Sequence, residues 1–318
     1  MDCSLEINNL TKSLNKSNII RELNLSISKG KKVALLGLNG AGKSSFIRLL
    51  TGESKPDNGE IIYRSYDASF NSGSSKSLLP NELYFKKHLG YQADTMLAIA
   101  GMTGGEYLTL CGQFKQLSSK QIERELKALC QKWQIDALLV QKMSKLSKGN
   151  LQRLAIAQVF ITEPKWLFFD EPCQSLDPLE QDRFNQNIKS LEDIELCIFS
   201  THNVEHALEV ADDIVVFHQS QIAYHFKKEN RKKYLLVTKK VSAKLSDLEN
   251  SNESEFEIKK THQGLFQINA LNLKKSDDLI EKIGKENIEF CLPEFEAVMP
   301  LFRMLASGEI DLCELNNG

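Results

Sequence analysis

The sequence predicts an α/β fold, a mostly parallel sheet covered by helices, followed by a small α+β unit. Three observations carry this. From about residue 165 strand-like and helix-like runs alternate as KWLFF, PLEQDRFNQNIKSL, ELCIFS, NVEHALEVA and DIVVFH, the order expected of parallel strands joined by crossover helices. An earlier strand, KVALLG, runs directly into a glycine turn and a helical pattern, GLNGAGKSSFIRLL. The composition then shifts after about residue 225.

In chain order, the β-type runs LEINNL, LNLSIS, KVALLG and EIIYR fill the first third. The polar stretch RSYDASFNSGSSKSLLPNE (64–82) reads as a long surface loop. From about 95 to 150 the pattern is helical, and Ile122, Leu126, Leu129, Cys130 and Trp133 form one apolar stripe. The charged run KKENRKK (227–233) marks a boundary, with a composition that also suits contact with membrane lipid. Beyond it, YLLVTKK, EFEIKKTHQGLFQINAL, the helical SDDLIEKIGK and the amphipathic FEAVMPLFRMLA make up the α+β unit. The expected domains are therefore 1–225, with a helical subdomain at about 95–150, and 226–318. No internal repeat is apparent.

With 40 basic against 42 acidic side chains, the 318-residue chain lacks the basic excess of a nucleic-acid binder. Seven cysteines, an odd number without a CxxC pair, point to reduced thiols and the cytoplasm. The N-terminus lacks a signal-peptide pattern, and no stretch approaches the roughly 20 apolar residues of a membrane helix. A membrane role requires a partner chain.

GLNGAGKS (37–44) fits G-x-x-x-x-G-K-[ST]. Gly37, Gly40 and Gly42 let backbone N–H groups approach phosphates, Lys43 adds a charge, and the Ser44 hydroxyl can ligate Mg²⁺. Asn39, Ala41 and Ser45 complete the set of candidate nucleotide contacts. WLFFDEP (166–172) ends an apolar strand on Asp170, a candidate Mg²⁺ ligand, and Glu171, placed to direct an attacking water. STHNVEHA (200–207) carries His202, Glu205 and His206 in an H-x-x-E-H pattern. That pattern reads either as a zinc pair on a helix or, with His202 closing a strand at the carboxyl edge of the sheet, as a γ-phosphate sensor. The second reading is preferred. In LSKGN (146–150), Ser147 and Gly149 sit at a helix start and offer a second anion site. Since the first loop already has its own helix, this second site serves a nucleotide held by another subunit.

Together with SLDP (175–178), these motifs resemble the ATP-binding subunit of an ABC transporter over roughly residues 4–225. The resemblance implies a P-loop NTPase cassette with a mixed sheet and a helical subdomain. It implies ATP and Mg²⁺ as ligands, with Lys43 and Ser44 in the Walker A role, Asp170 holding Mg²⁺ and Glu171 catalytic. Ser147 and Gly149 become the signature, Asp177 the D-loop residue and His202 the switch histidine. It further implies a homodimer closing on two ATP, a separate transmembrane permease subunit, and a cytoplasmic chain peripheral on the inner face of the membrane. The LSKGNLQRL signature and the C-terminal extension resemble exporter ATPases. Leu14 stands where an aromatic usually stacks on adenine, Lys148 where Gly is common, and Cys173 where Thr follows Asp-Glu-Pro. LGYQAD leaves Gln92 and Asp94 as alternatives for the glutamine-loop role. The competing readings are a soluble ATPase of the same fold acting on ribosomes or nucleic acid, and a nucleotide-gated binding module. A single cassette without a heptad run, at net charge −2, disfavours the first.

Overall fold

The computed structural model describes residues 3–14, 17–65, 76–228, 233–238, 256–260, 266–270, 288–293 and 296–308. Contacts divide the chain into two units, residues 1–212 with 219–221, and residues 213–218 with 222–318.

The first unit begins with β1 (Cys3–Leu14) and β2 (Ser17–Ser28), an antiparallel pair longer than LEINNL and LNLSIS suggest. The pairing continues through polar residues because register shifts re-aim the side chains. One shift falls between Ile7 and Leu10, where Asn9 takes φ 48°. After β3 (Lys31–Leu36), β4 (Asn58–Ser65) and β5 (Lys76–Leu78) complete a sheet in the order β2-β1-β4-β5. The expected loop at 64–82 is thus strand at its start and again at 76–78, while 66–75 lie outside the described residues.

The site is built on a second layer. β3, β6 (Leu89–Gln92), β7 (Trp166–Phe169) and β8 (Leu196–Thr201) run in parallel in the order β3-β8-β7-β6. Every residue of β7 and β8 is buried, which is why these strands read as unbroken apolar runs rather than alternating ones. The register sets Leu36 beside Thr201, Phe199 beside Phe169, and Phe169 beside Gln92. The carboxyl ends of all four strands therefore meet along one edge. Tyr63 of β4 stacks on Phe85 at 4.3 Å, meets Trp166 of β7 edge-on at 6.0 Å and donates its hydroxyl to Leu50 O. These contacts fasten the two sheets together.

The helices of this unit are α1 (Lys43–Leu50), α2 (Leu83–Lys87), α3 (Gly104–Phe114), α4 (Ser119–Trp133), α5 (Asp136–Leu139), α6 (Lys148–Ala157), α7 (Pro178–Lys189) and α8 (Val204–Val210). The helical stretch expected at 95–150 is α3 to α5. Thr103 with Glu106, and Ser118 with Gln121, form capping boxes that start α3 and α4. On α4, Ile122, Leu129, Cys130 and Trp133 are buried as the stripe predicts, with Leu126 half-buried. The helix that LSKGN opens is α6. Leu154 to Ala157 are buried in succession, so the end of α6 is enclosed all round. Neither α2 nor β6 is signalled by periodicity, both being under six residues.

The second unit contains β9 (Asp213–His218) and β10 (Gln221–Lys227), which are neighbours. It also has a four-stranded antiparallel sheet of β11 (Lys233–Thr238), β12 (Phe256–Lys260), β13 (Phe266–Ala270) and β14 (Ile288–Pro293), in the order β12-β13-β11-β14. A helix at Val298–Ser307 buries Val298, Leu301 and Leu305, the apolar face of FEAVMPLFRMLA. The helix expected from SDDLIEKIGK lies outside the described residues. Among the described residues, no helix is long and apolar enough to cross a membrane.

Candidate nucleotide-binding site

The loop 37–42 leaves β3 and turns into α1 through two residues that only glycine accommodates easily. Gly40 has φ 82° and Gly42 φ 107°. At Gly42 an added Cβ would also lie 2.8 Å from the backbone oxygen of Ile19. The loop is pinned at its base by Gly37 N–H donating to Thr201 O at 3.3 Å. Asn39 and Gly40 are exposed, while Ala41, Gly42, Ser44 and Ser45 are half-buried. No acidic residue occupies the first turn of α1, so no side chain of that turn opposes the positive end of the helix dipole. Gly42→Val is expected to weaken nucleotide binding at least about tenfold, because a β-branched residue cannot hold this backbone without strain of about 1–3 kcal/mol. Titration with a fluorescent ATP analogue, alongside a thermal melt, measures it.

Lys43 is buried, and its ammonium donates to Gly37 O at 2.6 Å and Leu38 O at 3.2 Å. It also lies 3.4 Å from Glu171 Oε1. The other Glu171 oxygen, Oε2, is 3.1 Å from His202 Nδ1. Glu171 thus stands between the lysine that opens α1 and the histidine that follows β8. Its own φ is +46°, uncommon for a non-glycine residue and concentrated at functional sites. Next to it, Asp170 is 1% exposed and its Oδ1 accepts from Ser44 Oγ at 3.1 Å and Ser200 Oγ at 2.7 Å.

The structure separates Gln92 from Asp94. Gln92 ends β6, is buried, and donates through Nε2 to Asp170 O at 3.1 Å and to Ala93 O. Its Oε1 is buried without a partner among the described residues. Asp94 is exposed two residues further on. Ser44 Oγ and the Asp170 carboxylate, 3.1 Å apart, are hard oxygen donors of the kind that suit Mg²⁺, and Gln92, whose Nε2 reaches Asp170 O, carries a third such oxygen.

Ser147 and Gly149 lie at the start of α6, and Gly149 stands against the turn after β7. Ser147 is the N-cap of α6, accepting from Asn150 N at 3.2 Å. A Cβ on Gly149 would sit 2.7 Å from Ser175 O. Asp177 caps α7, accepting from Glu180 N at 3.0 Å, with Pro178 following at the first helical position. Leu14, at the end of β1, is 60% exposed.

The two histidines of H-x-x-E-H do not share a helix face. His202 precedes α8 and turns to Glu171, whereas His206 is buried, with Nδ1 3.4 Å from Thr201 Oγ1 and Nε2 3.7 Å from Cys173 Sγ. Burial lowers the His206 imidazole to about 4, and together with Glu171 it raises the Cys173 thiol to about 12. Both groups are neutral at physiological pH. The motif reading passed over two residues. Ser200 is a fully buried hydroxyl in the apolar strand β8. Gln152 of α6 donates through Nε2 to Pro172 O at 3.0 Å, linking α6 to the turn that carries Glu171. A hydroxyl directly after the apolar run Leu196–Phe199, two residues before His202, was the available signal for Ser200.

Residues 20–174 match the family model described as ABC transporter. The sulfate/thiosulfate import ATP-binding protein CysA of Pectobacterium atrosepticum is 32% identical over 225 residues, covering 69% of this chain and 65% of the relative. The protein of the same name from Thermosynechococcus vestitus is 30% identical over 220 residues, with 69% and 62% covered. The chain thus spans somewhat under two thirds of these relatives. Among solved structures, an ATP-binding subunit of an ABC transporter superposes with TM-score 0.57 at 26% identity, covering 70% of this chain and 90% of the other. A dimeric post-hydrolysis ATP-binding cassette bound to ADP and Pi superposes with TM-score 0.61 at 20% identity, covering 71% and 99%, and shares the fold.

Proposed function

The chain belongs to the ABC transporter family through its cassette, and on that premise we propose that it binds ATP with Mg²⁺, hydrolyses it, and drives a separate transmembrane permease subunit. The observation that carries this reading is the cluster at the sheet edge: Lys43 and His202 on either side of Glu171, with Ser44 and Asp170 bonded beside them. Backbone N–H groups of the glycine loop and Lys43 bind the phosphates. Ser44 and Asp170 would hold Mg²⁺, with Gln92 Oε1 as a further oxygen donor, and the ion would supply charge neutralisation at the phosphoryl oxygens. Glu171 accepts the proton of the attacking water, and His202 fixes the Glu171 carboxylate and reports the γ-phosphate.

The working form is a homodimer in which Ser147, Gly149 and Asp177 of one subunit complete the phosphate site of the other. It works from the cytoplasmic face, peripheral to the membrane. The cassette boundary near 225 and the accessory role of 226–318 belong to this proposal. The export direction suggested by the signature is not carried forward, since the relatives above are named as import proteins. Cargo choice rests with the permease.

The test is affinity purification from detergent-solubilised membranes with phosphate release measured on the same sample. A stoichiometric polytopic companion and Mg²⁺-dependent phosphate release are the expected result. Recovery with ribosomes or nucleic acid overturns the transport reading. ATP-dependent dimers that release no phosphate overturn the enzymatic one.

A further inference from the structure

Ser200 is fully buried one residue from the carboxyl end of β8, and its hydroxyl both donates and accepts. It donates to Asp170 Oδ1 at 2.7 Å and accepts from the backbone N–H of Glu171 at 2.8 Å. A serine hydroxyl has a single proton and two lone pairs, so one group grips two consecutive residues with different tasks. The bond to Asp170 is charge-assisted and therefore among the stronger kind. The bond from Glu171 satisfies the amide of a residue held at φ +46°, a conformation that persists only where its surroundings enforce it. The Ser44 hydroxyl meets the same oxygen, Asp170 Oδ1, from the glycine-loop side at 3.1 Å.

We propose that Ser200 is a positioning residue that sets the metal-holding carboxylate and the water-directing carboxylate in one fixed register. The inference rests on the function proposed above, and it extends that reading to a residue outside the phosphate loop, the Asp-Glu pair, the signature and His202. Without the hydroxyl, Asp170 loses one of the two donors on Oδ1 and Glu171 loses the partner of its amide. The two carboxylates then relax independently. The loss falls on Mg²⁺-dependent steps and leaves the metal-free contribution of the glycine loop to binding untouched. A hydroxyl that merely fills space in the core would lower stability and leave both the Mg²⁺ requirement and turnover in place.

The experiment compares wild type, Ser200→Ala and Ser200→Thr in the full chain, with Ser200→Cys as a near-isosteric poor donor should the alanine variant fail to fold. Binding of a fluorescent ATP analogue is titrated with Mg²⁺ and with EDTA, phosphate release is measured across Mg²⁺ concentration, and thermal melts are recorded. Ser200→Ala, or Cys in its place, is expected to raise the Mg²⁺ concentration needed for half-maximal binding about tenfold and to lower kcat about tenfold or more, as loss of a bond to a charged group implies. Binding in EDTA stays within about twofold, and Ser200→Thr restores the wild-type Mg²⁺ requirement. A folded Ala or Cys variant with wild-type Mg²⁺ dependence overturns the proposal, as does failure of Thr to rescue with its melt unchanged. If wild type binds ATP and releases no phosphate, the hydrolytic reading fails by itself, and the Mg²⁺ titration of binding still decides the role of Ser200.

Discussion

Replacing Glu171 with Gln is expected to lower phosphate release by about 10²–10⁴-fold, the usual contribution of a positioned general base, while leaving ATP binding intact. Glutamine keeps the shape of the side chain, and the φ of +46° at this position is no less accessible to it. What it loses is the capacity to take a proton. It also removes the charge 3.4 Å from the Lys43 ammonium, which frees that ammonium for phosphate and so does not weaken binding. Turnover stops with the nucleotide still in place, so an ATP-dependent dimer accumulates that wild type does not retain. Gel filtration with and without ATP, run beside the phosphate assay, reads both effects. Unchanged release from Glu171→Gln would remove Glu171 from the base role and turn attention to His202. Loss of binding would show that the carboxylate holds the loop instead.

Several parts of this arrangement were legible in the sequence because each is encoded over a short distance. Gly40, Gly42 and Lys43 lie within one strand-loop-helix unit, and Asp170 and Glu171 follow a strand buried on both faces. The choice between Gln92 and Asp94 was not legible. It depends on where β6 stops, and β6 is four residues long and contains Gly90, whose missing side chain lets Val159 approach; a Cβ there would lie 2.5 Å from Val159 Cγ1. The strand is specified by its neighbours rather than by its own composition. Ser200 escaped for a similar reason, since its partners Asp170 and Glu171 lie about thirty residues earlier in the chain. The lengths of β1 and β2 were underestimated because alternation breaks at the shifts near Asn9 while the backbone pairing continues.

The second large effect concerns whether one ATP is held by one chain or two. Lys43 and the residues proposed to complete the partner's site, Ser147 and Gly149, are tied to different neighbours. Lys43 contacts its own loop and Glu171, whereas Ser147 caps α6 and Gly149 abuts Ser175. If Ser147 of one subunit completes the Lys43 site of the other, two inactive variants can repair each other. Lys43→Ala removes the phosphate charge, and Ser147→Glu places a negative charge where an anion is to be received. Each alone is expected to fall below about one hundredth of wild-type phosphate release, in keeping with loss of a main electrostatic contact. In a mixed dimer one site keeps both intact residues and the other has lost both. Random mixing in equal amounts makes half the dimers mixed, so release should return to about one quarter of wild type for independently working sites. Where the two sites fire only in concert, the same mixture made in the Glu171→Gln background should still retain one ATP per mixed dimer after gel filtration. A mixture that neither turns over nor retains nucleotide, from variants whose thermal melts match wild type, would place Ser147 outside the partner's site and leave it as a helix cap alone.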